Sequence, residues 1–131
     1  MRWLYLTAML VTSTGCPRDP PPACKTVETS CAPLYVGNFT EVYSRTISMK
    51  CGTADGSCHA ASADSSLSFA TEQGAYDSLL SKYVTPGDPN CSEFIVRTSS
   101  PGTDYQMPQG SPLGESEQCA LRKWVDAGAP R

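Results

Sequence analysis

The sequence predicts an all-α domain of three to four short helices joined by long loops, preceded by a signal peptide and a Pro-rich linker. Apolar residues recur at helical spacing in separate stretches, and no stretch shows the apolar–polar alternation of a half-buried strand. The 131 residues include 11 Pro and 10 Gly, so much of the chain is loop. Hydrophobic residues make up 40 % and charged residues 18 %, enough for one modest core but not for two. The net charge of −3 is opposite in sign to what phosphate binding requires, which argues against nucleic acid as a partner.

Residues 1–15 have the pattern of a signal peptide. Arg2 supplies the positive start, and Trp3 to Val11 is an apolar run broken only by Thr7. At nine residues the run is shorter than the ~20 needed to span a bilayer. The small residues Thr12 to Gly15 then lead to Cys16. This junction resembles the lipobox of bacterial lipoproteins, in which cleavage before a cysteine frees its thiol for a lipid anchor, with Ser13 standing where the family prefers an aliphatic residue. The resemblance implies that Cys16 is lipidated; the alternative is an ordinary cleaved signal. Residues 16–36 follow as the anchor cysteine and a Pro-rich linker, whose Pro17-Arg18-Asp19-Pro20-Pro21-Pro22 run favours an extended backbone and reads as a spacer. The domain itself is expected over residues 37–131.

The first helix is predicted from about Phe39 to Met49. Asn38 and Glu41 have capping-box spacing, and Phe39, Val42, Tyr43 and Ile47 lie on a helical period. A polar stretch rich in small residues, Gly52 to Ser68, reads as loop. The second helix is expected over Thr71 to Val84, with Ala75, Tyr76, Leu79, Leu80 and Tyr83 as its apolar face, and Pro86-Gly87-Asp88-Pro89 ends it. A short turn of helix is expected over Ser92 to Arg97, then a loop from Ser99 to Gly114. The last helix, from about Glu115 to Asp126, has Glu115 and Glu117 in its first turn and Arg122 and Lys123 later, as the helix dipole favours. Gly128 supplies its stop.

Seven cysteines and a single histidine concentrate the chemistry. In an exported chain such cysteine density points to disulfides, with any odd cysteine needing another task. His59 directly follows Cys58, and Cys51 precedes Cys58 by seven positions. One histidine is too few for a two-His zinc set. No Cys-x-x-Cys redox pair is present, and His59 has no nucleophile context of a hydrolase. Two thiols ending on a histidine do suit attachment of a c-type haem: the thiols add to the vinyl groups and the imidazole binds the iron.

Three segments together resemble the cytochrome c domains of bacterial surface and periplasmic proteins. They are Phe39 to His59, a helix running into the Cys-His motif; Val84-Thr85-Pro86-Gly87-Asp88-Pro89 with the short helix after it; and Met107-Pro108 followed by a helix ending Trp124-Val125-Asp126-Ala127-Gly128-Ala129. The resemblance spans most of the mature chain. It implies thioether bonds from Cys51 and Cys58 to one covalent haem c, His59 as proximal iron ligand and Met107 as distal ligand. It further implies a membrane-anchored electron carrier, not an enzyme, that meets redox partner proteins in the periplasm or at the cell surface. The sequence departs from the common motif in having six residues between the cysteines, and Cys51 and Cys58 closing on each other as a disulfide is the alternative. The chain would then be a haem-free lipoprotein stapled by disulfides, acting as a structural or binding module. On the haem reading Cys24, Cys31, Cys91 and Cys119 remain for disulfides. Nearness in sequence favours Cys24 with Cys31 and Cys91 with Cys119, the second closing the Met107 loop.

Overall fold

The computed structural model describes residues 20–51, 59 and 66–131. Among these residues the chain is helical and has no strand. Four helical elements occur in chain order. Helix α1 (residues 39–50) starts as α-helix over Phe39–Val42, widens to a π-helical stretch at Tyr43–Ile47 and closes with Ser48–Lys50. Helix α2 (residues 72–83) is α-helical over Glu72–Ser78 and π-helical over Leu79–Tyr83. Helix α3 is Glu93–Thr98 and α4 is Glu115–Asp126. These lie within a residue or two of the expected bounds. No described helix is long and apolar enough to cross a membrane.

The helices form where the apolar period was read, but their ends are held differently. Asn38 makes no side-chain cap. The amide of Phe39 instead donates to the Pro130 carbonyl at 3.0 Å, and Glu41 pairs with Arg45 at 2.7 Å. The capping box expected at Asn38 is therefore replaced by a contact from the chain's far end, which satisfies a donor left open by the helix start. Helix α2 has a local cap: Thr71 Oγ1 accepts from the Gly74 amide at 3.1 Å. Thr71→Ala is expected to lower stability by about 1 kcal/mol while Thr71→Ser does not, as measured by urea unfolding. At α4 the Gly114 amide donates to Glu117 Oε2 at 3.0 Å, and Gly128 at the far end takes a φ of +94°, where glycine carries no side-chain penalty.

Helices α1 and α4 pack through aromatic rings. Phe39 is fully buried, with its ring 5.3 Å from Trp124 and 5.0 Å from Tyr76. Trp124 Nε1 donates to the Pro130 carbonyl at 2.9 Å and the Tyr76 hydroxyl to the Ala129 carbonyl at 3.1 Å. The aromatic bodies thus lie in the core while their polar ends reach the terminal backbone. Ile47, Leu79, Ile95, Leu121 and Val125 complete the interior.

Residues 20–36, the later part of the segment read as a linker, lie bonded to the domain. The disulfides are Cys24–Cys91 and Cys31–Cys119. This corrects the expected pairing of Cys24 with Cys31 and of Cys91 with Cys119. The reason is geometric: the segment runs extended along the body, so each of its cysteines meets a cysteine of the body and not its sequence neighbour. Polar contacts accompany the bridges. The Lys25 amide donates to the Asn90 carbonyl at 2.8 Å and the Leu34 amide to the Ser116 carbonyl at 2.8 Å. Lys25 Nζ reaches the Ser99 carbonyl at 2.6 Å. Arg122, only 5 % exposed, donates to the Glu28 carbonyl, Glu115, Gln118 and Ser99 Oγ. A buried guanidinium is tolerated when its donors are satisfied in this way. The loop after α2 is pinned too, with Ser92 Oγ donating to the Asp88 carbonyl at 2.7 Å and accepting from the Thr85 amide at 2.9 Å.

Candidate functional site

Helix α1 delivers Cys51. Its amide donates to the Ile47 carbonyl at 3.0 Å, so the residue closes the helix, and its side chain turns into the core at 9 % exposure. Cys51 is a free thiol and not a disulfide partner. Burial, and then the negative charge of Glu117, push the thiol up to about 12, with Lys50 pulling the other way. Lys50 and Glu117 themselves form an ion pair at 2.8 Å. A thiol so placed stays protonated at neutral pH and is a poor nucleophile. Cys58 and Cys16 lie outside the described residues, and so does most of the loop between Cys51 and Phe69.

The pH consequence of Cys51 follows from linkage. The folded state keeps a proton that the unfolded thiol gives up near pH 9, so the folded state binds more protons in that interval. The stability associated with this thiol is full below pH 9 and is lost as the pH rises from 9 towards about 12. Haem-free protein is therefore expected to unfold more readily in urea at pH 10.5 than at pH 8, and Cys51→Ala to flatten that slope. An equal slope in the variant would assign the alkaline loss to other groups.

His59 is half-buried against Phe69, with ring centroids 5.1 Å apart. Its carbonyl accepts from the Phe69 amide at 2.8 Å, which fixes the backbone that carries the ring. Burial holds the imidazole below its usual range, a hydrogen bond to the Leu67 backbone opposes this, and the positive charge of Arg97 lowers it further. The ring is thus neutral near pH 7, the form in which imidazole binds metals. Nδ1 is buried and has no hydrogen-bond partner. A buried ring nitrogen without a partner is costly unless something occupies it.

Met107 lies in the loop between α3 and α4 and is partly buried. Its amide donates to the Arg97 carbonyl at 3.1 Å, and Gln106 Nε2 donates to the Pro108 carbonyl at 2.8 Å. No hydrogen bond joins Met107 to His59. The two are related through Arg97, whose charge reaches His59 and whose carbonyl holds the Met107 backbone. Among the described residues no group of three or more His, Cys, Asp or Glu converges as a metal site would.

An iron-binding haem asks for one free imidazole nitrogen, thiols near it in sequence and a soft second ligand. The unpartnered Nδ1 of His59 meets the first demand; Cys51 is a free thiol but a buried, protonated one, and Cys58 lies outside the described residues. Phe69, Arg97 and Glu117 shape these environments and were not singled out from the sequence for that role. Glu93 and Arg97 do have the i,i+4 spacing of a helical pair, a signal that marks Arg97 as fixed without saying what it faces. No family model, curated protein or solved structure matches this chain.

Proposed function

We propose that this chain is an exported, lipid-anchored c-type cytochrome domain that binds one haem for electron transfer and is not an enzyme. The observation that carries the reading is His59, the only histidine of the chain, with a buried ring nitrogen left without a partner. Cys51 and Cys58 would hold the haem by thioethers, and His59 and Met107 would be its iron ligands. When bound, the haem supplies an iron that accepts and releases single electrons. The protein's part is to present a neutral imidazole, to supply a thioether sulfur that favours the reduced iron, and to bury the group in apolar surroundings. Addition of the Cys51 S–H across a vinyl group would place the hydrogen on a vinyl carbon and leave an uncharged thioether sulfur, which suits the buried position of Cys51. The leader-like pattern of residues 1–15 and the two disulfides both support an exported chain in an oxidising compartment. Lipid on Cys16 would tether it to a bacterial membrane, where its partners would be other redox proteins.

The test is an absorbance spectrum of protein produced with c-type maturation machinery, followed by denaturation. Sharp bands in the reduced state, with haem remaining on the denatured chain, are expected. A second reading has an observation of its own: two bridges already join distant parts of the chain, so the domain is stapled without a cofactor. Protein with no haem band after maturation would favour this second reading, a disulfide-stapled lipoprotein serving as a structural or binding module.

A further inference from the structure

A groove of about 210 Å³ opens where the end of the docked segment, residues 35–37, meets helices α1 and α4. Tyr35, Val42 and Trp124 line it. All three belong to the buried core, so their positions are set by close packing and the lining is pre-formed. The polar ends of both rings are engaged elsewhere. The Tyr35 hydroxyl bonds Thr46 Oγ1 at 2.6 Å, and Trp124 Nε1 donates to the Pro130 carbonyl at 2.9 Å. The rings therefore offer the groove apolar surface and no hydrogen bond. An apolar space of roughly 150 Å³ accepts benzene, so 210 Å³ suits one aromatic ring with a short substituent. Val36 lies on the same groove and is 74 % exposed, apolar surface that a bound ring would take out of water.

One charged residue belongs to this lining. Lys123 is half-buried there, and among the described residues its ammonium has no ion-pair or hydrogen-bond partner. The helix dipole accounts for a cation in the last turn of α4, and that cation is left free to meet an anion. Glu41, which sits beside Gly37, does not neutralise it, because its carboxylate is taken up by Arg45 at 2.7 Å. The backbone amides of Val36 and Gly37 also have no hydrogen-bond partner among the described residues. An apolar space bordered by an unpaired cation and open amide donors is complementary to a molecule with an apolar body and one carboxylate.

We propose that this groove binds a small aromatic carboxylic acid, with its ring against Tyr35 and Trp124 and its carboxylate on Lys123. The site shares no residue with the proposed haem attachment and ligand set, so it stands whether or not haem is bound.

Phenylacetate is the probe. It is titrated into the isotope-labelled, disulfide-intact chain and followed by NMR at the Val36 and Gly37 amides and the Trp124 indole N–H. Saturable shifts at these groups are expected, with a dissociation constant of about 1 mM or tighter, a modest affinity for about ten non-hydrogen atoms. Phenylacetamide has the same shape without the charge and is expected to bind about five-fold more weakly. Lys123→Gln should weaken phenylacetate by about the same factor and leave phenylacetamide unchanged, a split that loosening of the fold would not produce. Ala127 lines the groove at an exposed position, so Ala127→Leu is expected to block both molecules with the core intact. No saturable shift at these groups by about 10 mM overturns the proposal, as does equal affinity for the acid and the amide. The same shifts arising when the protein alone is concentrated would place a second copy in the groove and overturn it too.

Discussion

His59→Ala protein, produced with c-type maturation machinery, is expected to lose its low-spin haem spectrum, with correctly ligated haem per mole of protein down by at least about ten-fold. Loss of a group that merely orients a ligand costs a metal site about 10–100-fold, and on the proposed haem reading the ligand itself is removed. No second histidine exists to replace it. The fold should tolerate the change. The backbone bond from the Phe69 amide to the His59 carbonyl survives in alanine, and the variant relieves a buried nitrogen that has no partner. Met107→Ala should behave differently: haem stays attached, the methionine ligand signature disappears and the reduction potential falls, because the thioether favours the reduced iron. Parallel spectra, potentiometry and far-ultraviolet dichroism separate these outcomes. A His59→Ala protein with parental spectrum and ligation would remove His59 from the site and with it the reading of the Cys-His motif.

Opening the Cys31–Cys119 bridge, as Cys31→Ala with Cys119→Ala, is expected to lower the stability of haem-free protein by about 4–5 kcal/mol. The bridge joins residues 88 positions apart, and on the chain-entropy account long closures restrict the unfolded state most. Cys119 is completely buried in the middle of α4, so alanine is the better replacement; serine would leave a hydroxyl needing a partner there. The Cys24–Cys91 bridge spans 67 positions and differs little by that account, but both of its cysteines are exposed. Its loss should cost similar stability without disturbing the core. The two closures overlap, so their effects should not add fully. Since a small domain has only about 5–15 kcal/mol in all, reduction of both bridges should largely unfold the haem-free protein. Guanidinium unfolding with and without a dithiol reductant measures this, and a loss below about 1 kcal/mol for either bridge would show that the polar contacts of residues 20–36 suffice without it.

The helices were legible in the sequence because an amphipathic helix writes its own period. Ala75 and Leu79 on α2 are fully buried and sit where that period puts them, with Tyr76, Leu80 and Tyr83 packed partly buried beside them. Stops at Pro86-Gly87 and Gly128 are equally local, since they depend on one residue's own backbone freedom. The capping box at Asn38 was not delivered, because the Phe39 amide found the Pro130 carbonyl, 91 positions away, and no local rule contains that alternative. The π-helical widening at Tyr43–Ile47 and at Leu79–Tyr83 likewise has no mark in the periodicity.

The sequence by itself determined the helical class, the places where helices start and stop, and the candidate residues Cys51, Cys58, His59 and Met107, because residue type and spacing state those things directly. Tertiary structure alone decided which cysteines pair, that the Cys51 thiol is free and buried, and that the Met107 amide is held by the Arg97 carbonyl. Nearness in sequence favours Cys24 with Cys31, since closing a short loop costs little entropy. The folded chain overrides it because residues 20–36 lie along the body, held by Lys25, Glu28 and Leu34, and that docking brings each cysteine to a partner 67 or 88 positions away. Long-range contacts of this kind depend on the sum of many weak interactions across the whole domain, and no local pattern records that sum.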